Sequence, residues 1–384
     1  MWRIHRKFTA KCVRLFGATK SVGPKTKKLE ELIMKEVLDC TKSIQKTSDT
    51  ETLGIDPLSH LQHNLGSIMC QLVFGKSWPK DDETWLWLQH LQEVGTKAIG
   101  VAGPLNFLPF LRHIPKYNKV MTFLLDGKHK THKVYQKLIE EQQAKIDLTK
   151  PDFVPENIIQ AFLLEMKSTT DIEYFSNEQF YHLLADVFGA GLDTTLSTLR
   201  WYILYMAAYP DFQKEIQKEL DGLLHDRLPT VEDLPSLPIT RASLAEIQRI
   251  RPVVPVGIPH ATTDNIELFG FNIPKGAMIL PLQWAIHMDP KVWKHPNEYN
   301  PYRFIDEEGR FFRPKEFIPF QTGKRMCIGD ELANILLFLF GATILQKFKI
   351  SPPADSEVDL EGEIGITLTP KPVKLVFTCR SECW

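Results

Sequence analysis

The feature that most constrains the fold is a long helical pattern that begins at Ser176. Ser176 and Gln179 have the spacing of a capping box, in which the serine caps the helix and the glutamine bonds back to it. No proline interrupts the pattern until Pro210, so it predicts one helix of about 30 residues. A helix of that length normally crosses a whole domain, because each residue adds about 1.5 Å.

The remaining chain divides into a helical part and a shorter strand-rich part. The segments "PDFQKEIQKELDGLL" and "TRASLAEIQRI" predict amphipathic helices, and Pro252 stops the second. The following segment, "VVPVGIPHATTDNIELFGFNIPKGAMILPL", is rich in Val, Ile, Gly and Pro and predicts strands and turns. Helix is predicted again over 330–347, and "GITLTPKPVKLVFTC" predicts a last hairpin. We find no internal repeat or linker, and expect one domain over 1–384, mainly α, with a smaller β-rich lobe over about 253–317 and 355–384.

Composition excludes several classes of protein. The 384 residues are 43% hydrophobic, which suffices for a large core, and 46 Lys and Arg balance 47 Asp and Glu. This balance gives no argument for nucleic-acid binding. No segment reaches the roughly 18 apolar residues of a membrane span, and "MWRIHRKF" is not a signal peptide. The six cysteines lack the spacing of a disulfide framework or a zinc site, which favours a reducing compartment: Cys12, Cys40, Cys70, Cys327, Cys379 and Cys383.

One of these cysteines stands in an unusual setting, "FQTGKRMCIG". Gly323 and Gly329 bracket Cys327, two cations precede it, and an apolar helix is predicted directly after it. A thiolate is stabilised by nearby cations, by backbone N–H groups and by a helix N-terminus, so this setting suits a metal ligand. The alternative is an ordinary core cysteine at the start of a helix.

The cysteine segment resembles the haem-binding loop of the cytochrome P450 family. Phe320, Gly323, Arg325, Cys327 and Gly329 match that loop. The resemblance implies haem b (iron protoporphyrin IX) as cofactor, with Cys327 as axial thiolate and sole protein ligand of the iron. It also implies that the phenylalanine packs near the sulfur and that the arginine meets a haem propionate.

Further motifs occur in the order of the family. "EIQR" places Glu246 and Arg249 on one helix face, where the resemblance implies that they pair with Arg303 of "PYRF". The segment "HMDPKVWKHPNEYNPYRF" matches the family's approach to that arginine. An isolated Glu and Arg at this spacing would otherwise be an exposed ion pair.

"AGLDTT" lies mid-way along the long helix. Ala190 and Gly191 are small enough for a flat ligand or dioxygen to approach the backbone, and Asp193 and Thr194 add an acid and a hydroxyl. The resemblance implies that this acid and hydroxyl deliver protons for dioxygen cleavage. The alternative is that both side chains bond only within their own helix.

The N-terminal segment matches the family helix that holds the haem propionates. Trp2 and Arg6 share one helix face, and His260 together with Arg325 match the remaining propionate contacts. The alternative for a Trp and Arg at this spacing is packing with a snorkelling guanidinium.

Beside that face, a basic stripe at helical spacing consists of Arg3, Lys7, Lys11 and Arg14. Residues 1–35 contain only two acids, Glu30 and Glu31, and ten cations at positions 3, 6, 7, 11, 14, 20, 25, 27, 28 and 35. The alternatives are a solvated face and a docking site for an acidic electron donor. The resemblance implies as donor the NADPH-cytochrome reductase, a flavoprotein with FAD and FMN.

The branch of the family is indicated by two segments. "GPLNFLPFLRHIP" is similar to a connection of microsomal members that touches the membrane, which implies peripheral membrane contact on the cytosolic face of the endoplasmic reticulum. The tract "PFQTGKRMCIGDELA" looks most like insect steroid-hydroxylating members. By analogy, substrate contacts are expected around Val254, Val256 and Ile366. The expected function is therefore hydroxylation of a lipophilic, steroid-like substrate with O2.

Members that share these motifs begin further upstream, with an anchor and the first β strands. We therefore expect a chain shortened at its N-terminus that lacks the anchor. Two alternatives remain for its function. One is a haem-thiolate isomerase or dehydratase, which would not need Asp193 and Thr194, and the other is a non-catalytic shortened product.

Overall fold

The computed structural model describes residues 1–19, 21–51, 53–99, 104–146, 153–168 and 172–380. Helices dominate this part of the chain, as the sequence predicted. In chain order they are α1 (Trp2–Leu15), α2 (Pro24–Ser48), α3 (Leu58–Phe74), α4 (Glu83–Ile99), α5 (Pro104–Phe107), α6 (Pro115–Gln143), α7 (Ile158–Ser168), α8 (Asn177–Ala208), α9 (Pro210–Leu224), α10 (Pro238–Ile250), α11 (Gln283–His287) and α12 (Asp330–Lys347).

The strands are short and pair two by two in antiparallel ladders. The ladders are β1 with β4, β2 with β3, β5 with β8, and β6 with β7. Their bounds are β1 (His260–Ala261), β2 (Ile266–Leu268), β3 (Phe271–Ile273), β4 (Met278–Ile279), β5 (Phe348–Ser351), β6 (Gly362–Ile364), β7 (Leu368–Pro370) and β8 (Val376–Cys379). The fold is therefore mainly α with a small β content, which confirms the predicted fold class.

The predicted C-terminal hairpin was wrong. In the segment 365–379, β7 pairs with the preceding β6, whereas β8 pairs with β5 directly after α12. Pro370 ends β7 and Pro372 follows it, and proline has no N–H to donate to a ladder. The two strands therefore serve different sheets.

The long helix α8 crosses the core, as predicted. The hydroxyl oxygen of Ser176 accepts a hydrogen bond from the Gln179 N–H at 3.3 Å, and the helix then runs for 32 residues. Its C-terminal half is buried on all sides, with Trp201, Tyr202 and Tyr205 among the largest buried side chains. It packs against α3, α10 and α12. Burial all round is expected of a helix at the centre of a large core.

Helix α12 is the second central helix. Every residue from Ile335 to Leu345 is buried, which confirms that this apolar run is a core helix. Gly341 lies against the ring of Tyr202, where an added Cβ would approach Cε1 to 2.9 Å. The close contact of α12 with α8 therefore depends on a glycine.

A buried ionic network joins α10 to the chain that follows it. Glu246 and Arg249 are fully buried, and both carboxylate oxygens accept from the guanidinium, at 2.7 and 2.8 Å. Arg303 adds a bond from Nε to Glu246 at 3.3 Å, and the Asn300 N–H donates to the same carboxylate at 2.9 Å. The predicted pairing of these three side chains is confirmed.

This network also reaches the segment that leads to the cysteine loop. Arg249 donates to the carbonyl oxygen of His287 at 2.8 Å. The ring of His287 accepts the Ile318 N–H through Nε2 at 3.0 Å and stacks on Phe317. Burial, together with the charge of Arg249, lowers the pKa of His287 to about 4, so the ring is neutral and can accept this bond.

The connection between α4 and α6 is apolar at its surface. Phe107, Leu108, Phe110 and Ile114 are between 46 and 63% exposed. Phe110 lies within a 3₁₀ turn over Pro109–His113, and the other three flank it. No helix within the described ranges is both long and apolar enough to span a membrane.

We expect Arg249→Met to lower the free energy of unfolding by about 3–5 kcal/mol, because it leaves the Glu246 carboxylate buried without its main partner. Urea unfolding followed by circular dichroism measures this loss. The matched control is Arg310→Met, which removes a guanidinium that is 71% exposed and paired with Asp306. That change should cost less than about 1 kcal/mol. Equal losses for the two variants would contradict the assigned role of the buried network.

Candidate functional site

Cys327 lies in a closed loop between a 3₁₀ turn (Gly323–Arg325) and helix α12. The Cys327 N–H donates to the carbonyl oxygen of Phe320 at 2.8 Å, which closes the loop. Gly323 has a φ of +75°, a left-handed conformation that favours glycine. Gly329 is the N-cap residue of α12, so the cysteine stands two residues before that cap.

The surroundings of the sulfur act on its ionisation in opposite directions. The protein packed around the sulfur raises the pKa of the Cys327 thiol, and Asp330 raises it further. The Gly329 N–H, which donates to Sγ at 3.4 Å, and the guanidinium of Arg6 both lower this pKa. The N–H donor and the cation that the sequence predicted are therefore present, but burial is the largest effect.

Helix α1 docks directly on the cysteine loop. Arg6 donates from Nη2 to the carbonyl oxygen of Met326 at 2.7 Å. The guanidinium carbon of Arg325 lies 3.8 Å from the centre of the Trp2 ring, within the range of a cation–π interaction. Trp2, Arg6 and Arg325 thus form one cluster beside Cys327, although Arg325 lies more than 300 residues from the other two in the chain.

A cleft of about 760 Å³ runs between α1 and the cysteine loop. Trp2, Arg6 and Cys327 line it together. Its charged lining is mostly basic, with Glu331 and Asp330 as the acids and Arg3, Arg6, Lys7, Arg14 and Lys324 as the cations. Lys11, the fourth member of the predicted basic stripe, is exposed on the same helix.

The "AGLDTT" turn of α8 presents its side chains in different directions. Ala190 is exposed. The position beside Gly191 is filled by Met69 of α3, whose Cε would lie 2.3 Å from an added Cβ. The small size of Gly191 therefore serves the packing of α8 against α3.

Asp193 and Thr194 also have separate partners. The Thr194 hydroxyl donates to the carbonyl oxygen of Ala190 at 2.7 Å, which is the bond within the helix that the structural alternative describes. Asp193 instead accepts from the hydroxyl of Thr367 at 2.7 Å, across 174 residues of sequence. Burial raises the pKa of the Asp193 carboxyl, while Thr367 and Arg200 lower it.

The expected substrate-contact segments lie next to each other. The Leu368 N–H, at the start of β7, donates to the carbonyl oxygen of Val253 at 2.8 Å. This bond places the turn that carries Ile366 beside the segment with Val254 and Val256, and all three side chains are partly buried. His260 is exposed in β1, paired with Ile279 of β4.

The structure thus forms two groups from the predicted site residues. The first group contains Cys327 and its loop with Trp2 and Arg6 of α1. The second group contains Asp193 and the turn near Ile366. The lining of the cleft does not include Ala190, Gly191, Asp193, Thr194 or His260.

Two contacts of the α8 turn were missed at the level of sequence. Thr367 bonds Asp193, and the side-chain amide of Gln92 in α4 donates to the Gly189 carbonyl oxygen at 2.9 Å. Threonine and glutamine are common surface residues, so their types carry no signal of such a role. The position of Thr367 directly after Ile366 was the one available indication.

Comparison with known proteins agrees with these motifs. Residues 1–377 match the sequence profile of the family described as Cytochrome P450. The chain is 37% identical to "Cytochrome P450 306a1" of Drosophila melanogaster, over 98% of this chain and 73% of that protein. It is 31% identical to "Cytochrome P450 2U1" of Bos taurus, over 99% of this chain and 68% of the relative. It is also 31% identical to "Cytochrome P450 18a1" of Drosophila melanogaster, over 99% of this chain and 71% of that protein.

Proposed function

Since the chain belongs to the cytochrome P450 family, we propose that it hydroxylates a lipophilic, steroid-like substrate at a haem held by Cys327, with electrons from a flavoprotein reductase. Membership of the family makes the protein a haem-binding monooxygenase that needs a redox partner and acts on a small molecule. The proposal adds the class of substrate, the roles of the residues and the kind of donor. The observation that carries it is the joint placement of Cys327, Trp2 and Arg6 at one cleft.

The residues around Cys327 fit a haem. Cys327 is exposed and lines the cleft, whereas Cys12, Cys40 and Cys70 are buried in the core and do not line it. A single thiolate is the donor that such a haem takes from its protein, since the porphyrin supplies the in-plane nitrogens. When bound, a haem with a thiolate ligand activates dioxygen so that one oxygen atom enters the substrate.

Arg6 and Arg325 would bind the haem propionates. Both are cations at the cysteine loop, and a guanidinium forms charge-assisted hydrogen bonds with a carboxylate. Arg6 already contacts the loop through Met326, and Arg325 is oriented by the Trp2 ring. Ordering these guanidinium groups beside the loop lowers the cost of binding the cofactor in one orientation.

Asp193 and Thr194 would hold and move protons on the other face of the site. The Thr194 hydroxyl donates its hydrogen to the Ala190 carbonyl oxygen, so its own oxygen can still accept a hydrogen bond. Because burial raises its pKa, the Asp193 carboxyl takes up a proton more readily than an exposed aspartate. We therefore propose that this carboxyl group and the hydroxyl of the next residue supply a proton to the reacting oxygen.

A lipophilic substrate is supported by the apolar residues at the expected contact positions, Val254, Val256 and Ile366. The steroid class is supported by the resemblance of the cysteine loop to insect steroid-hydroxylating members. Two of the relatives described above also come from an insect. Within this proposal, an isomerase or dehydratase is disfavoured, because such an enzyme needs no proton-delivering pair.

We expect Cys327→Ala to abolish the thiolate-type absorption of the reduced protein with carbon monoxide, because the substitution removes the axial sulfur. Difference spectroscopy measures this band. Cys379→Ala, at a partly buried cysteine in β8, is the matched control and should keep the band. Loss of the band in the control together with its survival in Cys327→Ala would contradict the assignment.

The same preparation tests the reaction. With a flavoprotein reductase, NADPH and isotopically heavy dioxygen, a monooxygenase adds one heavy oxygen atom to a steroid substrate, and mass spectrometry detects the mass change. Conversion without NADPH or heavy oxygen would favour the isomerase alternative. A protein without the carbon monoxide band and without conversion would favour the non-catalytic alternative.

The electron donor is proposed to dock on the basic face of α1. Arg3, Lys7, Lys11 and Arg14 are exposed there. Since Lys7 also lines the cleft that contains Cys327, a donor on this face is close to the candidate ligand of the iron. Clustered cations attract an acidic partner and raise its association rate.

We expect Lys7→Glu with Lys11→Glu to lower the rate of haem reduction by the reductase several-fold at low salt and to weaken the dependence of that rate on salt. Stopped-flow spectroscopy measures the rate. Lys349→Glu, on the exposed face of β5, is the control. It makes the same change of charge at one position away from α1. A rate that falls equally in the control would show that total charge, and not this face, governs docking.

Membrane contact is proposed for the exposed apolar connection that includes Phe107, Phe110 and Ile114. Apolar side chains beside cations, here Arg112 and Lys116, are typical of segments that bind at the membrane interface. An endoplasmic-reticulum location follows from this contact together with the resemblance to microsomal members.

We expect Phe110→Ser to reduce binding to vesicles of phosphatidylcholine and an anionic lipid by about ten-fold, since burying one aromatic side chain contributes about 1.5–3 kcal/mol. Vesicle sedimentation measures the bound fraction. Phe312→Ser removes a phenylalanine that is 42% exposed in another segment and serves as control. Unchanged binding of Phe110→Ser would place the contact elsewhere.

A further inference from the structure

The acid of the α8 turn is held by a residue from the other end of the chain. Thr367 is 5% exposed and donates its hydroxyl hydrogen to Oδ2 of Asp193 at 2.7 Å. Thr367 lies in the tight turn between β6 and β7. There the Gly365 N–H donates to the carbonyl oxygen of Thr367 at 2.9 Å. Its backbone and its hydroxyl are therefore both placed by hydrogen bonds.

This turn is attached to α8 independently of Thr367. The indole N–H of Trp201 donates to the Leu368 carbonyl oxygen at 3.0 Å, and Arg200 donates to that of Pro370 at 3.2 Å. Both donors are side chains of α8, and both acceptors are backbone atoms of β7. Loss of the Thr367 hydroxyl alone would therefore leave the strand on the helix.

We propose that Thr367 is a positioning residue for the reaction. Its hydroxyl fixes the carboxylate of Asp193 against the β6–β7 turn and so links this acid to the turn that carries Ile366. This inference rests on the proposed function for its role in the reaction, while the hydrogen bond itself does not depend on it.

The chemistry of the contact supports such a role. Without the Thr367 donor, the buried Asp193 carboxylate would be freer to rotate and its pKa would rise further. The Thr367 hydroxyl stabilises the ionised form, in agreement with its lowering effect on the pKa of Asp193, and Arg200 acts in the same direction. An acid that must both take up and release a proton needs this compensation of its burial.

The first test needs neither haem nor turnover. Infrared spectra of the purified chain, recorded across a pH titration, show the stretching band of a protonated carboxyl group, and Asp193→Asn identifies the band of this residue. Thr367→Val keeps the shape of the side chain and removes the hydroxyl, so we expect Asp193 to titrate at higher pH. Thr367→Ser restores a hydroxyl and should return the titration toward that of the wild type.

Thr369→Val is the matched control. Thr369 lies two residues further on, in strand β7 opposite Glu363 of β6, and its loss should leave the Asp193 band unchanged. Thr367→Ala provides a second variant without the hydroxyl if Thr367→Val does not fold. A titration of Asp193 that is the same in wild type and in the variant without the hydroxyl would overturn the proposal.

The second test uses the haem-loaded protein with its reductase. Peroxide released per electron consumed should rise several-fold in Thr367→Val and stay near the wild-type value in Thr367→Ser, with Thr194→Ala as the reference for lost proton delivery. A shifted infrared titration in a protein that hydroxylates nothing would support the positioning of Asp193 and count against the proposed function alone. Hydroxylation by the wild type with unchanged peroxide release in Thr367→Val would overturn the role in the reaction.

Discussion

The carboxylate of Glu246 is the point on which the arrangement of the site depends. It is fully buried and accepts hydrogen bonds from Arg249, from Arg303 and from the Asn300 N–H. Burial alone raises the pKa of this carboxyl, and these donors oppose that effect. The charge is tolerated because each partner is itself fixed, and removal of one partner would leave an uncompensated ion in the core.

From this carboxylate, a chain of contacts leads to the cysteine. Arg249 binds the carbonyl oxygen of His287, and the His287 ring accepts the N–H of Ile318. The loop then turns back so that the Cys327 N–H meets the Phe320 carbonyl oxygen. The low pKa of His287 belongs to the same arrangement, since a protonated ring could not accept the Ile318 N–H. Hydrogen bonds thus connect a structural ion pair in α10 to the segment that leads to Cys327.

The two groups of predicted site residues are held in different ways. On the cysteine side, α1 binds the loop through cations, which suits the anionic groups of a haem and an acidic electron donor. On the α8 side, the acid is held by a neutral hydroxyl from the β6–β7 turn. The cations of the first group favour the binding of anions, and burial in the second group favours uptake of a proton by Asp193, so each environment matches the chemistry proposed for it.

Local patterns in the sequence determined the helices and the cysteine loop. Helix α8 follows from its cap at Ser176 and from the absence of proline, and α12 follows from its continuous apolar run, because both signals act over neighbouring residues. The pairing of Glu246 with Arg249 could likewise be predicted, since three residues of helix bring both side chains to one face. Only the tertiary structure decided the partners of β8, the contact of Gly191 with Met69, and the bond of Thr367 to Asp193. These contacts join residues that are far apart in the chain, and their formation depends on how the packed helices place each backbone, which no local pattern of residue types encodes.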